Sequence, residues 1–550
     1  MDVRLARLSL APALLALCLA LPASSLAAAA GTAGPAFSGA SAPTGQKPQS
    51  KLWFNGGSWW AVLYNAGATR FEIYRDADGD WTPTGTVVDT RHNMYVDVLW
   101  DGSHLNVVSA GFSSGVHYSR FAYDAAAQSY TRDRGPVTLT TYGVEAAVLD
   151  RDATGELWAT WTHDADPTNA LTVVDSQVEV AHTLGDDATW STPSVLPIAN
   201  ARAVTGDDIS SVVRYAGHIG VMYSNQSDWT FTFASHADGA PDNEWSVSTA
   251  LQGAELSDDH INVKALEGDP AGQVFAAVKT SLNTGDAPLV KLLVLDDAGA
   301  WHDYTVFTVA DEPTRAQVML DPVRRQVHVF AAIGPCCNGG TIAVKSSDLD
   351  AIDFAPGSGT TLIDSDPNVN NPTTTKQPVN AAMPFLPVLA GSDTTHAYWQ
   401  AALALPPAGP TPPPSPSPPP SSSSPAAPGT PAVPAASPAR DGAAPATVEQ
   451  PTPSSAARRA AVLSRLRLAP KSFRSRGTAV FTLSRASRVT MRIDRWSHGH
   501  WVRVRTRAMD AVAGPNTLAI RGHGRRPGRY RLLAWVHGRP AHVAAFRIER

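Results

Sequence analysis

Residues 59–64 read Trp59-Trp60-Ala61-Val62-Leu63-Tyr64, and a strand of similar apolar character returns along the chain. The other copies begin at His104, Leu157, His218, Gln273, Gln326 and His396. Short turns rich in Gly, Asp, Asn and Pro separate the copies, and residues 51–405 show no helical periodicity. Most copies start roughly 45 to 62 residues apart, which is room for about four strands per unit.

A polar turn that delivers an aromatic residue is the second repeated feature. These aromatic residues are Trp81, Tyr130, Trp190, Trp245, Trp301 and Phe354. Four-stranded units repeated at this period are typical of a β-propeller. Seven inner strands and six outer aromatic residues predict seven blades with the last incomplete; six blades plus a terminal strand pair is the alternative. We expect the aromatic residues to pack between blades.

Composition divides the chain into five segments. Arg4 and Arg7 precede an apolar run over residues 8–21 and then small residues, which is typical of a cleaved signal peptide. Residues 406–457 hold 18 prolines in 52 positions, which predicts an extended, disordered linker. The predicted segments are a signal peptide (1–27), a flexible N-terminal segment (28–50), the propeller (51–405), the linker (406–457) and a small β domain (458–550).

The small β domain alternates apolar residues with Arg or Thr in strands separated by Gly and Pro. Several short strands within about 90 residues predict an immunoglobulin-like or fibronectin III-like sandwich. The predicted fold class is therefore all-β in both domains.

Charge separates the two domains. Residues 51–405 carry 18 Lys/Arg and 43 Asp/Glu, a net charge of −25, whereas residues 458–550 carry 22 Lys/Arg and 3 Asp/Glu, a net charge of +19. The basic domain is expected to bind anionic cell-wall polymers and, without sequence preference, nucleic acid. We expect a secreted, extracellular monomer, associated with the cell surface and without a membrane span after signal removal.

Two turns connect the chain to a known family. They read Asp76-Ala77-Asp78-Gly79-Asp80-Trp81 and Gly185-Asp186-Asp187-Ala188-Thr189-Trp190, degenerate forms of the Asp-box that closes the outer hairpin of a sialidase blade. The propeller therefore resembles secreted bacterial sialidase-like or BNR-type repeat proteins. The tail resembles the arginine-rich, Ig-like terminal modules of secreted actinobacterial proteins.

In propellers, ligands bind at the mouth of the central channel, where the innermost strands begin. Polar residues precede or begin those strands here, and together they offer the acidic, basic and hydrogen-bonding groups of a glycan or anion site. The predicted ligand-binding residues are Arg91, Tyr95, Asp97, Glu145, Asp208, Asp259, His260, Asn262, Arg315 and Lys376. The alternative is a solvated channel in which these side chains bind only water and one another.

Three functions fit the sequence. The first is an extracellular propeller that binds carbohydrate or another envelope ligand. The second is a carbohydrate-active enzyme, either a sialidase-like glycosidase or a polysaccharide lyase. The third is a surface scaffold without a ligand. No catalytic residue is assigned, because Tyr142 and Glu145 face opposite sides of a strand and do not form a nucleophile pair.

Two further motifs carry possible chemistry. Asp76, Asp78 and Asp80 offer three carboxylates to Ca²⁺, although Asp-Gly in this sequence is also a hairpin turn. No cofactor and no other metal site is assigned. Cys336 and Cys337 are the remaining cysteines after signal removal. They bond to each other in a vicinal disulfide, bond to another chain or stay free; we expect the vicinal disulfide.

Overall fold

A computed structural model describes residues 31–164, 176–334, 339–407, 463–469, 471–474, 476–497, 500–512, 514–521, 526–536 and 542–549. Three predictions lie outside these residues: the signal peptide, nearly all of the proline-rich linker, and the disulfide between Cys336 and Cys337. The part of the chain that the structure describes contains no helix with the length and apolarity that a membrane crossing requires.

Between residues 31 and 407, the described chain forms seven four-stranded antiparallel sheets. The first strand, β1, covers Thr32–Ala36. Sheet 1 comprises β2 (Leu52–Asn55), β3 (Ser58–Asn65), β4 (Arg70–Ala77) and β5 (Asp80–Asp89). Sheet 2 comprises β6 (Tyr95–Trp100), β7 (His104–Gly111), β8 (Ser114–Asp124) and β9 (Ser129–Thr138). Sheet 3 comprises β10 (Ala147–Arg151), β11 (Leu157–His163), β12 (Gln177–His182) and β13 (Ser194–Val195).

The next four sheets follow the same order from the innermost strand outward. Sheet 4 comprises β14 (Ser210–Tyr215), β15 (His218–Asn225), β16 (Thr230–Ala237) and β17 (Ser246–Gln252). Sheet 5 comprises β18 (Ile261–Ala265), β19 (Val274–Lys279), β20 (Pro288–Leu295) and β21 (Trp301–Thr308). Sheet 6 comprises β22 (Pro313–Asp321), β23 (Gln326–Ile333), β24 (Thr341–Asp348) and β25 (Thr360–Ile363). Sheet 7 comprises β26 (Asn370–Thr373), β27 (Phe385–Ser392), β28 (Ala397–Ala404) and β1. Short 3₁₀ helices lie at Ala199–Arg202 and Val309–Asp311.

The seven sheets are arranged radially. Each innermost strand packs against the innermost strand of the next sheet, from β2 and β6 through to β22 and β26. The ring closes where Leu52 forms a parallel bridge with Thr375, which follows β26. It closes a second time at the outer edge, because β1 from the N-terminal side pairs with β28. The prediction of an all-β fold built on a β-propeller is confirmed.

The repeated aromatic residues join neighbouring sheets, as predicted. Trp190 lies 5.0 Å from the ring of Tyr118 in sheet 2, and Trp245 lies 5.9 Å from Trp158 in sheet 3. Trp301 packs 5.3 Å from Phe233 in sheet 4. The remaining three make the same kind of contact: Trp81 donates to Gln400 of sheet 7, Tyr130 accepts from Trp53 of sheet 1, and Phe354 joins an apolar cluster shared by sheets 5 and 6. Large rings fill the wedge that opens between radial sheets away from the axis.

The prediction that residues 28–50 form a flexible segment is wrong for residues 31–50. The strand β1 completes sheet 7, and the residues between it and β2 are largely buried. Gln49, Ser50 and Lys51 are each 0% exposed. The sequence of this stretch is rich in Gly, Ala, Ser and Pro, so its order comes from tertiary contacts rather than from local preference.

Residues 46–51 lie on the axis of the propeller. The carbonyl of Lys47 accepts hydrogen bonds from Asn262 of sheet 5 and Gln317 of sheet 6. The Gln49 side chain donates to the carbonyl of Ala147 in sheet 3, and the Ser50 amide donates to Asp97 in sheet 2 at 2.8 Å. A segment that contacts four different sheets in this way runs through the central channel. We call residues 46–51 the channel segment.

The C-terminal domain contains a three-stranded and a five-stranded sheet. The first comprises β29 (Leu463–Ala469), β31 (Arg476–Leu483) and β34 (Gly514–Arg521). The second comprises β30 (Ser472–Phe473), β32 (Ser487–Ser497), β33 (His500–Ala511), β35 (Gly528–Val536) and β36 (His542–Ile548). Phe481 of the first sheet and Leu532 of the second belong to one buried apolar cluster, so the two sheets form a sandwich. Asp494 is buried and forms ion pairs with Arg492 and Arg531. These charged residues alternate with the core residues of β32 and β35, so they lie on the face of the five-stranded sheet that points away from the sandwich core.

The channel segment and β1 make N-terminal truncation a sharp test of this architecture. A chain that starts at residue 31 should unfold at the same temperature as the full chain. A chain that starts at residue 52 loses the edge strand of sheet 7 and the hydrogen bonds that Asp97, Asn262 and Gln317 make to the channel segment. Since each unsatisfied buried polar group costs about 1–3 kcal/mol, we expect its cooperative thermal transition to shift down strongly or disappear. Differential scanning calorimetry measures both, and equal melting temperatures would contradict a structural role for residues 31–51.

Candidate functional site

One group of charged side chains lies at the end of the channel where the innermost strands begin. We call Lys47, Glu145, Asp207, Asp259 and His260 the mouth cluster. The Lys47 ammonium lies 2.5 Å from Glu145 Oε1 and 2.8 Å from Asp259 Oδ2. The other oxygen of Asp259 lies 2.6 Å from His260 Nδ1. Residues from the channel segment and from sheets 3, 4 and 5 thus meet within hydrogen-bonding range.

Three carboxylates converge in this cluster. One oxygen from each of Glu145, Asp207 and Asp259 lies within 4.8 Å of the other two. Burial, together with repulsion from Asp259 and Glu145, raises the pKa of Asp207 to about 8. Asp207 therefore holds a proton near neutral pH, beside two carboxylates that Lys47 binds directly.

Lys47 and Asp259 stabilise each other's charged forms. Burial by itself favours the neutral forms of Asp259 and Lys47. The positive charges of Lys47 and His260 nevertheless hold the pKa of Asp259 well below its usual range. In the same way, Asp259 and Glu145 outweigh the burial of Lys47 and raise the pKa of its ammonium. The side chain of Lys47 is 3% exposed, so its attraction to the two carboxylates is little screened by water.

A layer of hydrogen bonds holds His260 in place. Its Nδ1 lies 3.0 Å from Asp258 Oδ1, and its Nε2 lies 3.2 Å from the hydroxyl of Thr314 in sheet 6. Asp258 in turn accepts from Lys279 at 2.8 Å. Because both ring nitrogens are engaged, these contacts fix the orientation of the imidazole beside Asp259.

An aromatic pair adjoins the mouth cluster. Tyr95 is largely buried, and burial together with nearby Glu145 raises the pKa of its phenol to about 12. The ring of Phe112 meets Tyr95 edge to face, with centroids 6.0 Å apart. Phe112 occupies the turn between β7 and β8 and is 62% exposed, so its face is open to solvent. An open aromatic face beside polar groups is suited to a sugar ring, which has apolar C–H faces and a polar rim.

Five of the ten predicted ligand-binding residues meet at the mouth. They are Tyr95, Glu145, Asp259, His260 and Arg315; the guanidinium of Arg315 lies near enough to Lys47 and Tyr95 to oppose the charge of Lys47. The Arg315 backbone adopts a φ of 57°, the left-handed conformation that is uncommon for a residue with a side chain. This conformation coincides with an irregularity in the pairing of β22 with β23 between Thr314 and Gln317.

The structure places the other five away from the mouth cluster. Arg91 is bound to Asp89 at 2.7 Å and to the backbone of sheet 2, so it holds a loop rather than facing the mouth. Asp208 caps its own turn by accepting from the Thr205 amide and from Ser224; its neighbour Asp207 joins the cluster instead. The two aspartates lie in a turn, where the amide of Asp208 donates to the carbonyl of Thr205, and the sequence did not reveal which of them faces the cluster.

Asp97, Asn262 and Lys376 lie deeper in the channel. Asp97 and Asn262 are each 0% exposed and bind the channel segment. Lys376 contacts Asp97 and the carbonyl of Leu149, so it lies past the mouth cluster and does not meet Asp259 or His260 there. These three residues stabilise the closed channel.

Sequence reasoning missed Lys47 altogether. Its segment has no strand pattern and precedes the first repeat, so nothing local separates Lys47 from a solvated lysine. The sequence offered one signal. Lys47 is the one charged residue between the predicted signal peptide and the predicted propeller, and the domain that follows it is strongly acidic.

The structure describes the surroundings of two motifs from the sequence, Tyr142 with Glu145 and the three aspartates at positions 76, 78 and 80. Tyr142 and Glu145 do not form a pair: the Tyr142 hydroxyl donates to Glu179, whose other oxygen lies 3.0 Å from His163 Nδ1. Asp76 accepts from the amide of Gly79 in the β4–β5 hairpin, with Asp78 and Gly79 at positive φ. This is a tight turn, and calcium binding by its three aspartates stays a prediction.

Two groups in the described chain have the donor atoms of a metal site, namely Asp258 with Asp259 and His260, and Glu145 with Asp207 and Asp259. Both share Asp259, which Lys47 already binds. An ammonium in contact with two of the carboxylates supplies the positive charge that a cation would bring. We therefore assign no metal to the mouth cluster.

No family model and no curated protein matches the chain. Among solved structures, it is similar to the BP39L lectin of Burkholderia pseudomallei at 12% identity, with a TM-score of 0.44 over 65% of this chain and 100% of the lectin. It is also similar to a PL25 ulvan lyase, at 12% identity and a TM-score of 0.43 over 68% and 96% of the two chains. A Trypanosoma rangeli sialidase in complex with sialic acid has 10% identity and a TM-score of 0.40, over 68% of this chain and 60% of the sialidase. Likeness at this level assigns the chain to no family, and its function has to be argued from the site.

Proposed function

We propose that the propeller is a secreted glycan-binding domain whose ligand sits at the channel mouth. The observation that carries the proposal is the exposed face of Phe112, which packs against Tyr95, while Tyr95 lies near Glu145 of the mouth cluster. An aromatic face and hydrogen-bonding side chains are the two elements that a sugar-binding site combines.

The channel segment fits this role because it makes the floor of the site rigid. Glu145 and Asp259 are held by Lys47, so their orientation is set before a ligand arrives. Sugar hydroxyls would donate to the remaining carboxylate lone pairs while the ring packs on Phe112. Preorganised acceptors lower the ordering cost of binding. The degenerate Asp-box turns at Asp76 and Asp186, each with its aspartate accepting from backbone amides, support a sialidase-type repeat.

Phe112 can be tested against a matched control. Val247 is another exposed apolar side chain, 55% exposed on the outer strand of sheet 4 and remote from the mouth. We expect Phe112→Ala to weaken glycan binding about tenfold or more, since truncating a central aromatic contact costs more than about 1 kcal/mol. Val247→Ala should leave binding unchanged. A glycan array followed by calorimetry on the best ligand measures both, and equal affinities for the two variants would remove the basis of the proposal.

A second candidate function is a glycoside hydrolase or polysaccharide lyase. The observation that favours it is a protonated Asp207 beside two carboxylates, because hydrolases pair a carboxylic acid of raised pKa with an ionised carboxylate. Asp207 would protonate the leaving oxygen, and Glu145 or Asp259 would act as nucleophile or base. A substitution at position 207 separates the two candidates. An asparagine amide there still forms hydrogen bonds to a glycan, but it does not donate a proton to the leaving oxygen.

Asp207→Asn gives both an activity and a stability prediction. In an enzyme, turnover should fall about 10²- to 10⁴-fold while glycan affinity stays within a few-fold; in a binding protein, only affinity is measurable. Because the pKa of Asp207 is raised in the folded state, the folded chain holds a proton that the unfolded chain has lost between about pH 4 and pH 8. The free energy of unfolding of the parent chain should therefore decrease as pH rises through this range.

The variant should flatten that decrease, because asparagine does not ionise. Asp297→Asn, an exposed residue of an outer turn, is the control and should keep the parent's pH dependence. Urea unfolding at pH 5 and pH 8 measures the effect. Parallel pH profiles for Asp207→Asn and the parent would show that Asp207 is ionised throughout.

The C-terminal domain is proposed to hold the propeller at an anionic surface. Arg492 and Arg531 are buried on Asp494, whereas Arg505 and Arg547 are exposed and available to a polyanion. We expect the full chain to bind a wall-teichoic-type polymer with an affinity that falls steeply with salt, and Arg505→Gln with Arg547→Gln to lower the slope of log K against log salt by about 1–2. Binding that is independent of salt would contradict this role.

A further inference from the structure

A second cavity opens at the other end of the channel. It has a volume of about 240 Å³, and residues near the ends of the innermost strands line it, whereas the mouth cluster surrounds their beginnings. The lining includes Trp53, Trp100, Val148, Asp150, Lys264 and Lys376. The channel segment separates this cavity from the mouth, so the two sites are distinct.

Lys264 is the group that distinguishes the cavity. It is 4% exposed, and its ammonium lies 3.1 Å from the Ser50 hydroxyl and 3.3 Å from the amide oxygen of Asn262. Both acceptors are neutral. Within the described residues, Lys264 forms no ion pair with a carboxylate. A buried ammonium without a counter-ion is costly, because the interior does not solvate its charge as water does.

The charges around Lys264 do not balance. Lys376 contacts Asp97, and Lys51 is 0% exposed with its ammonium 2.9 Å from the carbonyl of Val96. Asp150, the other acidic residue of this group, accepts the backbone amides of Arg151 and Arg214 at 2.8 Å each. Three lysines (Lys51, Lys264, Lys376) therefore face two aspartates (Asp97, Asp150). At the rim, Arg214 and Glu267 pair with each other at 2.9 Å and add no net charge.

The protonation of these groups reflects the same imbalance. Burial first, and then repulsion from Lys376, lowers the pKa of Lys264 to about 7. Burial lowers the pKa of Lys51 to about 7 as well, against the attraction of Asp97. Burial also raises the pKa of Asp150. The lowered pKa values of the two lysines are in the direction that a missing negative charge produces, whereas the raised pKa of Asp150 comes from its burial and is opposed by Lys376.

We propose that this cavity binds a small organic monocarboxylate. Its carboxylate would lie between Lys264 and Lys376, and its apolar body would pack against Trp53, Trp100 and the valines of the innermost strands, such as Val148. One negative charge completes the balance of the buried group, and a cavity of about 240 Å³ admits only a small ligand. The apolar walls favour an organic anion over a strongly hydrated inorganic one.

Benzoate and benzamide test this assignment, because they share a shape and differ in charge. In titration calorimetry of the full chain at pH 6.5, benzoate should bind at least ten times more tightly than benzamide. Lys264→Met should abolish the preference. Lys291→Met is the matched control, since Lys291 is also buried but pairs with Asp303 on sheet 5 away from the cavity, and it should keep the preference.

Affinity for benzoate should also fall as pH rises from 6.5 to 8.5, because the ammonium of Lys264 has to be protonated to bind it. Equal binding of benzoate and benzamide, or tighter binding of inorganic phosphate than of benzoate, would overturn the proposal. So would full benzoate binding by Lys264→Met. Thermal unfolding of that variant guards against misfolding: removing an uncompensated buried charge should leave its melting temperature equal or higher.

Discussion

Seven sheets that radiate from an axis leave a polar channel at their centre, and this chain closes that channel with its own backbone. The inner strands present buried polar side chains there, including Asp97, Asn262 and Gln317, each 0–1% exposed. Such groups are stable only when they are hydrogen-bonded. The channel segment supplies the partners through the Lys47 carbonyl, the Gln49 side chain and the Ser50 amide. The rest of the propeller depends on this set of hydrogen bonds, because it ties sheets 2, 3, 5 and 6 to one element.

Closing the channel in this way creates two separate ends with different chemistry. At the mouth, Lys47 pairs with Glu145 and Asp259. Burial and the charges of these two carboxylates raise the pKa of Asp207, and the ring of Phe112 is open to solvent. At the other end, Lys264 is buried on neutral acceptors. The mouth therefore has excess acid and a cation supplied by the chain, whereas the opposite cavity has excess positive charge. One short segment thus determines the electrostatics of both sites.

The aromatic wedges act at a larger radius. Trp190, Trp245 and Trp301 each contact the preceding sheet, and Trp301 also donates to the hydroxyl of Ser248 there, so ring packing and hydrogen bonds together join the sheets at this radius. Ring closure is reinforced at both radii, by Leu52 with Thr375 near the axis and by β1 with β28 at the edge. Strand pairing between the two ends of the domain resists opening of the ring, since neither end can separate without breaking a ladder.

The sequence by itself determined the propeller, the repeat of its inner strands and the aromatic wedges, because these depend on patterns that recur within each unit of about 50 residues. It also indicated which segments approach the mouth, and Glu145, Asp259 and His260 were found in that way. Only the tertiary structure decided that Asp207 rather than Asp208 faces the cluster, because the two lie in a turn whose other aspartate is taken up by Thr205 and Ser224. Only the tertiary structure placed Lys47 and Lys264 in the channel, because their partners lie 98 and 214 residues away along the chain and no local pattern records such contacts.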